Sequence, residues 1–223
     1  MLSVIDTRPF PVAPAAFNLA AHVLSRATAL AGKPALVLLH PDRDEVVSHD
    51  RLLAAVQGCG SALLDQGLNP GDRILMRLGN GLAFPIVFLG AIWAGLVPVP
   101  TSSLLTRVEI TRLAALVFPR LIVAEAGIAL PDAAIPVIAP DVATWSITRP
   151  AAPCLGSPER EAYVIFTSGT SGNAMAVSHA HRAIIARQNM HQAWEGLTEQ
   201  DRLLHAGALN WTYTLGTGLL DPW

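Results

Sequence analysis

The sequence predicts an α/β fold, alternating strands and helices with a largely parallel sheet, and two observations carry that expectation. Short apolar runs (PALVLLH, RILMRL, VPVP, LIVA, PVIA, AYVIF) recur along the chain and are separated by segments with helical periodicity. Glycine, proline and Asx-rich turns punctuate the boundaries, and strands alternating with helices at this spacing favour parallel pairing.

After a proline-rich arm, Asn18 is placed to cap a helix with apolar positions 19, 23, 24, 27, 30 and 31, stopped by Gly32. PALVLLH (34–40) reads as a strand with a turn at PDRD. Ser48 then caps a second helix, with Leu52, Val56, Cys59 and Leu63 on one face and Gly67 closing it. LNPGD is a turn leading into the strand RILMRL. A buried helix over 84–94 and a short strand, Val97–Val99, follow. Thr106 and Glu109 form a T-x-x-E capping box that opens a helix to about Val117. Strands are expected at 121–124 and 136–139. A loop rich in Pro, Ala and Ser (148–160) leads to the strand AYVIF, and another helical segment follows position 181.

Length and charge bound the function classes. With 223 residues the chain can bury a sizeable core, and a formal net charge of −2 supplies no basic face for nucleic acid. Cys59 and Cys154 stand far apart in no metal-like spacing, as expected of two reduced thiols. Hydrophobic residues make up 52% and mean hydropathy is +0.42, so the uncharged stretch 81–100 is weighed as a membrane span. Pro98 and Pro100 end any helix near Gly95 and leave only about a dozen helical residues, which suits a buried helix instead. The N-terminus has no basic region followed by an apolar run, so no secretory signal is read there and the cytoplasm is the expected compartment.

The chemistry concentrates at residues 167–172, TSGTSG, directly after YVIF. Gly169 and Gly172 let successive backbone N–H groups converge on one concavity, and Thr167, Ser168, Thr170 and Ser171 add hydroxyl donors, the composition of a phosphate nest. The spacing is not G-x-x-x-x-G-K-[ST], since no lysine follows Gly172, nor is it G-x-G-x-x-G or G-x-S-x-G. His179 and His181 would share a face on a strand. No further ligand cluster accompanies them, so capping or packing is expected of them rather than metal binding.

The order TSGTSG-x-x-x-x-V-x-H-x-H resembles the AMP-forming, adenylate-forming enzymes, which include acyl- and aryl-CoA synthetases and whose signature reads approximately TSGTTG-x-P-K-G-V-x-H-x-H. Thr167, Ser168, Gly169, Thr170, Gly172, Val177, His179 and His181 match, with Ser171 in place of a threonine. The resemblance extends through NLAAHVLSRATALAGKPALV, the stretch LNPGDRILMRLGNGLAFPIVFLGAIWAGLVPVP and LLTRVEI. The segment ALNWTYTLGTGLLDPW (208–223) is most similar to benzoate and related aryl-CoA ligases.

The resemblance implies an ATP-dependent ligase that activates a small carboxylic acid as acyl-AMP and passes it to CoA, with Mg²⁺ accompanying ATP. Thr167 to Gly172 would cradle the nucleotide phosphates; Trp211, Tyr213 and Gly216 would line the acyl pocket. Core packing is the other reading of the two aromatics. No residue present is expected to act as nucleophile, general base or metal ligand, since both nucleophiles belong to substrates.

Two departures from the family pattern stand out. Ala174-Met175-Ala176 replaces P-K-G, removing a cation that would stabilise charge on the leaving polyphosphate. The chain also stops at Trp223, before the adenine, ribose, hinge and C-terminal lysine segments of the family. Residues 1–223 are therefore expected to be the N-terminal part of an AMP-binding domain, without the C-terminal small domain and inactive alone. The alternatives are a catalytically silent remnant acting at most as a binding module, or an adenylating enzyme that loads a carrier protein.

Overall fold

The computed structural model describes residues 11–168, 174–188 and 194–223. Asn18 does cap the first helix: its Oδ1 accepts the Ala21 N–H at 3.1 Å while its amide donates to the Ile92 and Cys154 carbonyls. That helix, α1 (Leu19–Val23), is shorter than its apolar periodicity predicts, and successive turns carry the chain from residue 24 to 32. The turns bury Leu24 and Ala27 as a helix would, so the pattern alone does not separate the two. The first strand, β1 (Pro34–Leu38), turns back into an unforeseen partner, β2 (Glu45–Ser48), as an antiparallel hairpin. Ser48 precedes α2 (His49–Leu64) but makes no side-chain cap; its hydroxyl meets Asp50 instead.

A parallel sheet forms from β3 (Arg73–Arg77), β4 (Val97–Pro100), β5 (Leu121–Ala124) and β6 (Val137–Ile138), in the order β4-β3-β5-β6. Between β3 and β4 lies α3 (Ala83–Trp93), apolar on every side and buried from Phe84 to Trp93. It is a core helix of 11 residues, and no described helix is long and apolar enough to cross a membrane. Alternation along the strands builds two cores. Ile74, Met76, Leu121 and Val123 pack with α2 and α3, whereas Leu75, Ile122 and Val99 pack with α4 (Arg107–Val117) on the opposite face. The predicted capping box of α4 is present in both directions. After β6 comes a short helix, α5 (Val142–Trp145), that the sequence reading lacks. The 148–160 loop is pinned to the helices beneath it, Ala151 N–H donating to Gln57 and Cys154 N–H to Trp93. Its Cys154 packs against Gly95, whose φ of 81° needs glycine and where a Cβ would lie 2.6 Å from the sulfur.

The expected strand AYVIF is β7 (Glu161–Ser168), and it pairs antiparallel with β8 (Ala174–Ala180) instead of joining the parallel ladder. It lies alongside β4, and the sequence explains the missing ladder. Val97 and Thr101 direct their N–H groups to β3, so Pro98 and Pro100 face away from it, and prolines have no N–H to offer a strand there. Two polar ties fix the hairpin instead. Arg73 holds Glu161 through Nε and Nη2, and Arg160 donates to the Phe17 and Cys154 carbonyls. The chain continues through α6 (Ala183–Gln188) to α7 (Thr212–Leu215) and a π-helical turn, Gly216–Leu220.

Candidate functional site

The β7–β8 register sets Thr167 opposite Met175 and Ser168 opposite Ala174, the last pairs of the ladder. Thr167 is exposed there. Gly169, Thr170, Ser171 and Gly172, with the side chain of Ser168, lie outside the described residues. Met175, where the family signature has lysine, is 59% exposed as the second residue of β8.

Both signature histidines pack inward. His181 is buried, and its Nδ1 accepts the Leu19 N–H at 3.0 Å, capping the first turn of α1. Burial, with Arg160 nearby, lowers its pKa to about 4, so the ring is neutral and the acceptor is available. His179 stacks on Tyr163 with centroids 4.6 Å apart and planes within 8°. Burial and then the Arg187 charge lower its pKa, while burial pushes the Tyr163 phenol up to about 12. Among the described residues no group of three His, Cys, Asp or Glu could hold a metal ion.

Behind the hairpin, Arg187 of α6 donates through Nε to Asp221 Oδ1 at 2.8 Å and through Nη2 to Oδ2. The hydrogen bond to Asp221 raises the Arg187 pKa against the opposing effect of burial. Gly216 lies directly beneath this guanidinium: a Cβ there would sit 2.2 Å from Arg187 Cζ. Its φ of −68° is open to any residue, so close approach is what the position requires.

Trp211 and Tyr213 are not core aromatics; they are 54% and 62% exposed. Tyr213 lines an open cleft of about 460 Å³ with Leu203, Leu204, His205, Gly207 and Thr217. Trp194 and His205 flank the tyrosine at centroid distances of 6.3 and 6.2 Å. Neither Trp211 nor Gly216 lines this cleft, so the structure separates the three predicted acyl-site residues: one wall residue, one exposed ring outside the lining and one buried packing glycine.

His205, which sequence reasoning missed, organises the cleft. Its Nδ1 accepts the Gly207 N–H at 3.1 Å, which leaves the ring proton on Nε2, 3.1 Å from Thr217 Oγ1; that hydroxyl donates on to the Tyr213 carbonyl. A separate cleft of about 380 Å³, between Arg26, Lys33, His49, Glu199 and Trp223, contains no predicted site residue.

Comparison with known proteins supplies an independent line. The model of the family described as AMP-binding enzyme matches residues 24–222. Benzoate–CoA ligase of Thauera aromatica is 30% identical over 99% of this chain and 46% of its own length. A 4-hydroxybenzoate–CoA/benzoate–CoA ligase of Rhodopseudomonas palustris is 28% identical over 92% of the chain and 41% of its own. Among solved structures, a benzoate CoA ligase from Burkholderia xenovorans superposes with a TM-score of 0.82 at 24% identity, covering 92% of this chain and 43% of that one. The chain thus spans a little under half the length of these relatives.

Proposed function

This chain belongs to the AMP-binding enzyme family, and from that premise we propose that it is the N-terminal part of an ATP-dependent acyl- or aryl-CoA synthetase. In the complete reaction a carboxylate attacks the α-phosphorus of ATP, forming the acyl–phosphate bond and releasing pyrophosphate. The CoA thiol then attacks the acyl carbon, forms the thioester and releases AMP. No side chain has to serve as nucleophile, because carboxylate and thiol are both substrates.

The observation that carries this reading is the hairpin register. It sets Thr167 and Ser168 at the end of the β7–β8 ladder, directly before the rest of the glycine–hydroxyl run, a composition whose backbone N–H groups and hydroxyls suit polyphosphate oxygens. The hydroxyl-rich donor set suits phosphate oxygens, and Mg²⁺ enters as the ion that arrives with ATP. On the same reading, the cleft beside Tyr213 takes the acid. Residues 1–223 form one portion of the AMP-binding domain, working in the cytoplasm. A planar aromatic acid fits the exposed rings of Trp194 and Tyr213. The similarity to two aryl-CoA ligases supports that choice of substrate class.

Two titrations of the 223-residue chain test the proposal. Inorganic pyrophosphate should bind saturably by calorimetry and lose its affinity when Gly169 and Gly172 are both replaced by valine. Benzoate should quench tryptophan fluorescence saturably, and more weakly in Tyr213→Ala. Pyrophosphate binding that ignores the double substitution would remove the phosphate assignment; benzoate binding that ignores Tyr213→Ala would remove the acyl assignment.

A further inference from the structure

Asn80, at the turn after β3, reaches 127 and 129 residues along the chain to hold one short segment at two points. Its Nδ2 donates to the Gly207 carbonyl at 2.9 Å, and its Oδ1 accepts the Leu209 N–H at 3.1 Å. A primary amide presents a donor and an acceptor side by side, so it pairs with an extended backbone as a neighbouring strand would. The turn that carries Asn80 is itself fixed, since the Gly79 N–H donates to Glu125 Oε2 at 3.0 Å at the end of β5. The parallel sheet therefore extends a rigid arm to residues 207–209.

The first of those residues belongs to the wall of the Tyr213 cleft. Gly207 lines it, and its N–H is already committed to His205 Nδ1. A side chain at Gly207 has no room: a Cβ would lie 2.7 Å from Thr214 Oγ1 and 2.9 Å from His205 Cε1. The His205 ring in turn lies on Gly218, where a Cβ would be 2.8 Å from Cγ. Residues 205–209 are thus braced from both sides, by Thr217 through His205 and by the sheet through Asn80.

We infer that Asn80 is a positioning residue for the acid site, holding the Gly207 wall, through Gly207 and Leu209, at the spacing from Tyr213 that a bound carboxylic acid requires. The inference rests on the acyl reading of that cleft. Asn80 touches no substrate in this arrangement; it acts through Gly207 and Leu209. A preset wall saves the ordering that binding would otherwise require.

The test uses benzoate and inorganic pyrophosphate as probes with Asn80→Ala and Asn80→Asp in the 223-residue chain. Asn80→Ala removes both bonds. Asn80→Asp keeps an acceptor for Leu209 but turns a carboxylate oxygen toward the Gly207 carbonyl. Benzoate affinity should fall on the order of tenfold in both, since Asn80→Ala loses two ordinary hydrogen bonds and Asn80→Asp loses one and gains a repulsion between carboxylate and carbonyl oxygens. Pyrophosphate affinity should stay unchanged, which a loss of global structure would not allow. Leu209 amide exchange should accelerate in Asn80→Ala and remain slow in Asn80→Asp. If the unsubstituted chain binds benzoate and Asn80→Ala binds it equally well, the positioning role is overturned. If Leu209 exchange does not change in Asn80→Ala, the clamp itself is overturned. Failure of the unsubstituted chain to bind benzoate sinks the acyl reading, and this role with it.

Discussion

Arg187 and Asp221 meet edge to edge, Nε and Nη2 of the guanidinium giving two hydrogen bonds to one carboxylate whose side chain is only 1% exposed. Thirty-four residues separate them, so the pair ties α6, which follows the signature hairpin, to the π-helical turn behind the Tyr213 cleft. Separating a buried pair costs far more than the net worth of the intact pair.

Gly216 makes that geometry possible. Gly216→Ala should destabilise the fold by about 3 kcal/mol, because the new methyl displaces the guanidinium from Asp221. Denaturant unfolding measures it. In an Asp221→Asn background the same alanine should cost much less, since the pair is already lost. Equal penalties in the two backgrounds would show that the methyl acts by crowding something other than the ion pair.

Gly58 offers a case in which helix propensity and packing have opposite signs. It lies within α2, where alanine is favoured over glycine by about 1 kcal/mol. A Cβ there would come 1.8 Å from the Trp145 carbonyl oxygen, a backbone atom at the end of α5. Gly58→Ala should therefore lower stability by about 1–3 kcal/mol. A stabilised variant would mean that α5 does not dock on α2 as described.

His181 should impose a pH dependence on stability. Its folded pKa of about 4 lies below the ordinary histidine value near ~6.5, so the unfolded chain binds the extra proton first as pH falls. The contribution is fully present above ~6.5 and is lost as pH falls to 4, by up to about 1.4 kcal/mol per pH unit. Burial lowers the pKa of His179 and His49 as well, with the same sign. His181→Asn keeps an acceptor for the Leu19 N–H but cannot titrate. Its melting temperature should fall less between pH 7 and 4.5 than that of the unsubstituted chain; an unchanged slope would assign the dependence to other groups.

The legible parts of this protein are those whose causes are local. The Thr106–Glu109 box spans one helical turn, and the glycine–hydroxyl run at 167–172 is contiguous, so both announce themselves in the sequence. Strand β2 does not, because EVVS is short and becomes a strand only by pairing with β1. The prolines of β4 were visible as helix breakers, yet their effect on β7 depends on which edge they face. Asn80 and Gly207, or Arg187 and Asp221, are joined only once the sheet and helices have packed. Trp211 and Tyr213 were recognisable as cleft or core candidates, and only the packed structure gives their exposure.

Met175 sits across the ladder from Thr167, exposed and one residue pair from the end of the ladder. On the proposed reading, lysine at this position adds a positive charge beside the bound polyphosphate. Met175→Lys should tighten pyrophosphate binding by roughly tenfold at low salt, less than the ~10²–10³ associated with losing a preorganised donor, because a solvated ammonium is mobile. The gain should shrink as ionic strength rises and the Debye length falls to about 8 Å at 0.15 M. In a chimera joining these residues to the remainder of a related ligase, the same change should raise carboxylate-dependent exchange of pyrophosphate into ATP. Charge on the departing pyrophosphate grows toward the transition state, so the ammonium stabilises that state more than bound ATP, and only this difference increases kcat. Met175→Gln, similar in length and uncharged, separates charge from shape. A gain with glutamine equal to that with lysine would refute the electrostatic account, and no gain with either would make Met175 a tolerated variation.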